Sequence, residues 1–258
     1  MVRKDDDTRR TDTRERRNLE PGHARCTLLN GFTLVSDGEE VYLPHSAQRL
    51  LAFFALRPHP ASRAYVAGHL WPDRSQDRSS GNLRSALWRL RHSKLPLVVG
   101  TRIHLWLAST VSVDVRDVAA TVGRLLDRSV PCLPEDLNPA LLTGELLPDW
   151  YEDEWVLVER EHLLQLCIHG LEAQCERLLA MGKHRKALEA GLALVRRAPL
   201  RDSAQFALMS VHLAMGNSAE AIHQYRAYRT LLRDELGVEP SPQTTQLLIE
   251  IDALRCLT

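Results

Sequence analysis

The chain has 258 residues, 44% of them apolar, and its Lys and Arg equal its Asp and Glu in number, so the formal net charge is zero. This length fits one large domain or two ordinary ones, and charge interrupts the apolar runs too often for a transmembrane helix. Residues 1–23 are charged throughout and lack an apolar stretch, which argues against a secretory signal and predicts a disordered tail. Five scattered cysteines without a C-x-x-C pair favour buried, reduced thiols in a reducing cytoplasm.

The charges are unevenly distributed along the chain. Residues 24–107 hold eleven Lys and Arg against five Asp and Glu, whereas residues 114–258 hold fifteen against twenty-two. Such an asymmetry is typical of a basic binding module joined to an acidic one. We therefore expect two modules of opposite charge.

The predicted elements begin with short strands over residues 25–44. Apolar residues alternate there, and Asn30-Gly31 and Asp37-Gly38 are hairpin signals. The following stretch, HSAQRLLAFFALR, has apolar residues at helical spacing and predicts the first helix.

Two more helices and a hairpin follow. Pro58 ends the first helix, and Ser62 can cap a second one, RAYVAGHLW, which ends at Pro72. A third helix is predicted over residues 78–94, before two short β runs around a Gly-Thr turn in LPLVVGTRIHLWL. Strands, three helices and a closing hairpin predict a winged helix-turn-helix DNA-binding domain over residues 24–112. In that fold the third helix enters the major groove and the hairpin is the wing.

The third helix has two chemically different faces. On a helical wheel Leu83, Ala86, Leu87 and Leu90 share one arc, which we assign to the core. The opposite side carries Arg84, Ser85, Trp88, Arg91 and His92, with Arg89 at its edge. Residues 78–94 contain five cations and no acid. Such a face gains free energy on DNA by releasing counterions, and arginine can bond guanine O6 and N7 together.

Trp88 is the unusual residue of this face. A solvent-facing tryptophan is poorly placed unless something covers it. It would pack under the hairpin or the acidic half, or lie against a sugar or a thymine methyl group, and the sequence leaves these alternatives open.

The second half of the chain is helical in period and contains a repeat. LAMGKHRKAL (179–188) recurs as LAMGNSAEAI (213–222), 34 residues later, which is the tetratricopeptide period. A helix is predicted to start near Asp114, and further helices are predicted near 155–181, 184–197, 201–215, 218–235 and 242–255. The predicted fold is therefore mainly α: an N-terminal winged helix-turn-helix (α/β) followed by an all-α tetratricopeptide-like domain over residues 113–258. Such arrays present concave surfaces that bind proteins.

Motifs of catalysis and cofactor binding are missing from the sequence. It has no G-x-x-x-x-G-K-[ST], no G-x-G-x-x-G after a strand, no G-x-S-x-G and no H-E-x-x-H. Glu152-Asp153-Glu154 leads into a predicted helix, where acids favour the positive helix end, so we interpret it as a cap. We expect no enzyme activity, no cofactor and no metal.

Taken together, these features resemble the SARP-type (Streptomyces antibiotic regulatory protein) transcriptional activators. The matching stretches are AQRLLAFFALRPHPASRAYVAGHLWPD, NLRSALWRLR, VSVDV, WYEDEWVLVERE and LMSVHLAMGNSAEAIHQYRAYRTLLRDELGVEPSPQT, of which the last is the most specific. The resemblance covers about residues 25–250. That family joins a response-regulator-like winged helix to a bacterial transcriptional activator domain (BTAD) of tetratricopeptide-like helices.

The resemblance implies binding to direct repeats in double-stranded promoter DNA and recruitment of RNA polymerase holoenzyme, in part through the sigma factor. It also implies control of a biosynthetic gene cluster, such as one for antibiotic biosynthesis, by a cytoplasmic, nucleoid-associated protein. Self-association on DNA is a further expectation, and no membrane partner is expected. Two alternatives stay open: a helical scaffold without specific DNA binding, and a ligand-responsive regulator acting through protein contacts.

The resemblance and the cationic run together assign the DNA-binding residues. The recognition-helix set is Arg84, Ser85, Trp88, Arg89, Arg91, His92 and Lys94. The wing and backbone set is Arg49, Arg63, Arg78 and Arg102. One departure is Ala47, which stands where family members often have a basic residue, so a phosphate contact at that position is in doubt.

Overall fold

The computed structural model describes residues 22–91 and 95–255. The disordered tail predicted for residues 1–23 lies, except for its last two residues, outside the described residues. The fold divides into two compact units. The N-terminal unit comprises the described residues up to Asp117 together with Glu145–Glu161, and the helical unit comprises Val118–Gly144 and the residues from His162 onward. The linear domain boundary near residue 112 remains a prediction.

A four-stranded sheet lies in the N-terminal unit. Its strands are β1 (Ala24–Thr27), β2 (Thr33–Ser36), β3 (Glu39–Glu40) and β7 (Val111–Val113), in the order β3-β2-β1-β7. Strand β1 pairs antiparallel with β2 and parallel with β7. Asn30 and Asp37 have φ angles of 61° and 49°, in the left-handed region that Asn and Asp tolerate in turns. Both hairpin signals of the sequence are therefore confirmed.

Three helices and a second sheet complete the N-terminal unit. The helices are α1 (His45–Leu56), α2 (Arg63–Leu70) and α3 (Gln76–Leu90). The sheet has the order β4 (Ala61–Ser62), β6 (His104–Leu107) and β5 (Val98–Gly100), and β5 and β6 form the predicted hairpin. Phe53 and Phe54 of α1 are among the largest fully buried side chains. The predicted cap of α2 is confirmed, because Ser62 Oγ accepts a hydrogen bond from Tyr65 N at 3.2 Å.

Helices that pack against their neighbours along the chain build most of the helical unit. The helices are α4 (Asp114–Leu126) and α5 (Glu154–Ala180), which both begin in the N-terminal unit, and α6 (His184–Arg197), α7 (Asp202–Ala214), α8 (Ser218–Leu236) and α9 (Pro242–Arg255). Helix α7 packs against both α6 and α8. Gly182 and Gly216, equivalent in the 34-residue repeat, have φ angles of 68° and 76° after the helices that they end. Equivalent residues of the repeat thus take equivalent conformations.

The predicted fold class, mainly α with an N-terminal α/β part, is confirmed. Helix α3 was predicted over residues 78–94 and is found at Gln76–Leu90. The segment between α4 and α5 contains two short 3-10 turns that bury Leu137 and Leu142. No helix within the described residues combines the length and apolar character needed to cross a membrane.

Candidate nucleic-acid interface

Helix α3 has one apolar, buried face and one charged, exposed face. Leu83, Ala86 and Leu90 are buried, whereas the charged side chains face solvent. We call the exposed arginines Arg78, Arg84, Arg89 and Arg91 the cationic face. Its separation from the core residues agrees with the predicted helical wheel. Ser85 is also exposed, and Trp88 is 63% exposed, so the hairpin does not bury it.

The arginines of the cationic face differ in how they are held. Arg89 Nη1 donates to Ser46 Oγ at 2.7 Å, which fixes it against the first turn of α1. Within the described residues, the guanidinium groups of Arg78, Arg84 and Arg91 have no hydrogen-bond or ion-pair partner. A ligand could therefore engage these three groups without breaking a bond within the protein. His92 and Lys94 lie outside the described residues.

Side-chain hydrogen bonds stabilise the turn of the β5–β6 hairpin. Thr101 Oγ1 accepts hydrogen bonds from Ile103 N at 3.2 Å and His104 N at 3.0 Å. This turn exposes Arg102 at the tip. Arg63, at the start of α2, donates from Nε and Nη2 to the Thr101 carbonyl, at 3.2 and 3.0 Å. Arg63 thus joins α2 to the hairpin, and Arg102 is the more exposed cation of the two.

Arg49 lies in a different environment from the other predicted contact residues. Its side chain is 19% exposed, and its Nε lies 2.6 Å from Asp153 Oδ1. Its Nη2 donates to the Leu70 carbonyl at 2.7 Å. Ala47, the position that departs from the family pattern, is fully buried. A role for Arg49 at the DNA backbone stays a prediction, although its guanidinium is already bonded within the protein.

Asp153 is a residue whose role the sequence did not reveal. We interpreted the acidic triplet as a helix cap, and Glu154 does lie in the first turn of α5. Asp153 is instead buried beside Arg49, and its Oδ1 accepts a hydrogen bond from Trp155 Nε1 at 3.1 Å. No local sequence signal distinguishes it from its neighbours, because its main partner lies on α1.

The charge asymmetry of the sequence does not coincide with the two units. Glu145–Glu161 carries seven acids and one arginine, and this segment belongs to the N-terminal unit. The helical unit carries thirteen Lys and Arg and thirteen Asp and Glu. The prediction of a separate acidic module is therefore wrong, because the most acidic segment belongs to the same unit as the cationic face.

Three cysteines, Cys26, Cys167 and Cys175, are buried, which limits their reactivity and their use as metal ligands. Burial raises the pKa of the Cys26 and Cys167 thiols and raises that of Cys175 to about 12, so these thiols stay protonated near neutral pH. Thiolates, not thiols, are the nucleophiles and metal ligands. Among the described residues there is no group of three or more His, Cys, Asp and Glu side chains that could hold a metal ion.

Comparison with known proteins gives a domain match. Residues 136–252 match the family model of the bacterial transcriptional activator domain. The chain is 26% identical over 239 residues to Regulatory protein AfsR of Streptomyces coelicolor, which covers 88% of this chain and 24% of AfsR. It is 34% identical over 110 residues to Regulatory protein AfsR of Streptomyces griseus, covering 42% of this chain and 11% of that protein. The chain thus spans a quarter or less of the length of these relatives.

A solved structure shares the fold. Mycobacterium tuberculosis EmbR, in complex with a low-affinity phosphopeptide, superposes with a TM-score of 0.73 and 18% identity. The match covers 90% of this chain and 65% of EmbR. At this identity the likeness concerns the fold alone.

The activator-domain match and the similarity to AfsR together confirm the resemblance predicted from the sequence. The chain is therefore similar to SARP-type transcriptional regulators, and its residues 136–252 match their bacterial transcriptional activator domain.

Proposed function

We propose that this protein is a sequence-specific DNA-binding transcriptional activator. In this proposal it binds direct repeats in promoters, associates with further copies of itself there and recruits RNA polymerase holoenzyme, in part through the sigma factor. Its target is a biosynthetic gene cluster, and its place of action is the nucleoid in the cytoplasm. The observation that supports DNA binding best is the cationic face of α3.

The size and charge of α3 suit the major groove. The helix has 15 residues, which corresponds to about 22 Å at about 1.5 Å per residue. The major groove, about 12 Å wide, admits one α-helix. Residues 78–91 contain four arginines and no acid, so a phosphate backbone meets no like charge on this segment. Each phosphate that the face neutralises steepens the dependence of log K on log salt by about 0.9.

The proposed contacts follow the exposure of the side chains. Arg84 and Arg91 can each pair with a guanine edge, since neither has a partner within the described residues. The other members of the proposed recognition set are Ser85, Trp88, Arg89, His92 and Lys94. Arg102 at the hairpin tip contacts the backbone beside the groove, with Arg63 and Arg78 as further backbone contacts.

The helical unit supplies the protein-binding part of the proposal. Helix-pair arrays bury a continuous core and leave an extended surface for partners. Most of the activator-domain match, residues 136–252, lies in this unit. We propose that polymerase binds here while the N-terminal unit stays on DNA.

Binding of the full chain to a mixed-sequence duplex at several salt concentrations tests whether the cationic face attracts the phosphate backbone of DNA. We expect affinity that falls steeply between about 0.05 and 0.2 M salt, with a slope of about −3 to −4 from the cationic face. If the folded protein binds no duplex at about 0.05 M salt, the DNA-binding proposal is wrong, and a scaffold acting through protein contacts explains the cationic face better.

A further inference from the structure

The segment Glu145–Glu161 folds back onto the N-terminal unit. Asn30 N donates to the Glu145 carbonyl at 2.7 Å, and Leu147 N donates to the Leu28 carbonyl at 2.9 Å. These backbone bonds fix the segment beside the end of β1. Residues that the family model assigns to the activator domain therefore form part of the helix-turn-helix unit.

Asp153 places a buried carboxylate against α1. Its side chain is 5% exposed, and its Oδ1 lies 2.6 Å from Arg49 Nε. This contact is an ion pair and not a hydrogen bond, because the Nε–H of Arg49 is not directed at the carboxylate. Its Oδ2 lies 3.5 Å from Nε2 of His45, one turn earlier on α1. A carboxylate removed from water requires a charged or hydrogen-bonding partner, and loss of one partner leaves an uncompensated buried charge. We call Glu145–Glu161 the returning segment. The Arg49–Asp153 ion pair therefore joins α1 to the returning segment.

Arg49 extends this link to the end of α2. Its Nη2 donates to the carbonyl of Leu70, the last residue of α2, at 2.7 Å. The last carbonyls of a helix have no partner within the helix, so a side-chain donor there stabilises the helix end. The guanidinium carbon also lies 5.9 Å from the centroid of the Trp71 ring. Residues 71–75, which follow, form the turn into α3.

Aromatic packing supports the same placement. The Trp155 ring lies 6.1 Å from Phe53 of α1 and 6.2 Å from His69 of α2, measured between ring centroids. Trp150 lies 4.8 Å from His45 in an edge-to-face arrangement. The returning segment thus contacts both helices that precede α3, by apolar as well as polar groups.

We propose that Asp153 is a positioning residue for DNA recognition, acting through Arg49 on the α2–α3 turn. This inference rests on the proposed function. A recognition helix must be held within about 0.5 Å of its productive position by neighbouring residues. Asp153 orients Arg49, Arg49 holds the end of α2, and the end of α2 sets where α3 begins. In this account Arg49 bonds the protein and not the DNA backbone.

The full-length variant Asp153→Asn tests the inference, with Glu152→Gln as the matched control. Both changes replace a carboxylate with an amide and remove one negative charge, but Glu152 is exposed. The first readout is amide hydrogen exchange within residues 71–75, which requires no DNA. The reporting amides are those of Trp71 and Arg74, which donate to the carbonyls of Ala67 and Trp71. We expect exchange about tenfold faster in Asp153→Asn, unchanged exchange in Glu152→Gln, and unchanged exchange in α6–α8 of both variants. Equal exchange at residues 71–75 in the two variants would overturn the proposal.

The second readout is binding to two duplexes, one selected by the protein from random DNA and one of mixed sequence. Misplacement of α3 should weaken binding to the selected duplex about tenfold or more and leave mixed-sequence binding and its salt slope unchanged. General unfolding would weaken both. If Asp153→Asn instead binds both duplexes more tightly, with a salt slope steeper by about one, then released Arg49 contacts phosphate and the positioning role is wrong.

Arg49→Lys provides a second, independent variant. Lysine keeps the charge but lacks the planar fork that reaches Asp153 and Leu70 together. It should reproduce the faster exchange and the selective loss of binding to the selected duplex, and wild-type behaviour would count against the proposal. If no variant and no wild-type protein binds DNA, the proposed function fails, while the exchange result still decides whether Asp153 positions the α2–α3 turn.

Discussion

Replacement of Arg84 by alanine is the perturbation that most directly separates base reading from charge attraction. Arg84 is exposed on α3 and has no partner within the described residues. Alanine is the best helix former, so the change should leave folding stability within about 0.5 kcal/mol of wild type. Any larger effect on DNA binding then comes from the contact itself.

The size of the loss depends on what Arg84 contacts. A bidentate contact with guanine is worth about 1–3 kcal/mol of discrimination, which is about 5-fold to 150-fold in affinity. A phosphate contact alone changes the salt slope by about 0.9 and costs the same on every sequence. Because Arg84 lies on the helix face opposite Leu83, Ala86 and Leu90, which are buried, we predict the first result.

Fluorescence anisotropy with labelled selected and mixed-sequence duplexes measures both quantities. The matched control is Arg226→Ala, which removes an exposed arginine of α8 that also lacks a partner within the described residues. We expect Arg226→Ala to bind as wild type does, and Arg84→Ala to lose affinity for the selected duplex only. An equal loss on both duplexes with a shallower salt slope would refute base reading by Arg84.

Three further predictions follow from the helical unit and the DNA-binding mode. A Cβ on Gly170 of α5 would lie 2.7 and 2.8 Å from two side chains, whereas one on Gly123 of α4 would meet nothing within 4 Å. Chemical denaturation should therefore show Gly170→Ala destabilised by about 1–2 kcal/mol and Gly123→Ala stabilised by about 0.5–1 kcal/mol. Effects of the same sign in the two variants would contradict the close packing around Gly170. Burial acts to raise the pKa of Asp202, but hydrogen bonds, chiefly from Ser241 and Thr244, outweigh it and hold that pKa below its usual range. The stabilisation that the Asp202 carboxylate gives to the folded state is thus present above about pH 4 and is lost as pH falls through the lower folded-state pKa. Asp202→Asn should therefore lower the free energy of unfolding by about 1–3 kcal/mol at neutral pH. A loss that persists undiminished in strong acid would contradict this account. Duplexes with two selected sites should bind most tightly at a spacing of about 10–11 base pairs, and a spacer series with no optimum would exclude adjacent copies on one face of the DNA.

Local signals were enough to predict most elements. The Asn-Gly and Asp-Gly turns require positive φ, which Asn30 and Asp37 adopt. Prolines and the 34-residue repeat limit the helices so closely that α6 was predicted at residues 184–197 and found at His184–Arg197. The two faces of α3 were predictable because side-chain burial follows the helical period.

Contacts between distant residues were not predictable in this way. Arg49 and Asp153 are 104 residues apart, and neither has a neighbour in sequence that indicates the pair. The charge balance of the two halves of the sequence also gave a wrong prediction, that of a separate acidic module. The reason is that Glu145–Glu161 belongs to the N-terminal unit and not to the helical unit. The seven acids of this segment thus belong to a different unit from the one to which the charge pattern assigns them.

Selection of binding sites from random DNA duplexes by the purified full-length chain tests the central claim most directly. It should be done at about 0.15 M salt, where non-specific binding is already weak. We predict enrichment of a short direct repeat, and loss of that enrichment when Arg84 and Arg91 are both replaced by alanine. A folded protein that enriches no sequence, or whose enriched sequence is unchanged in the double variant, would contradict the claim that α3 reads DNA.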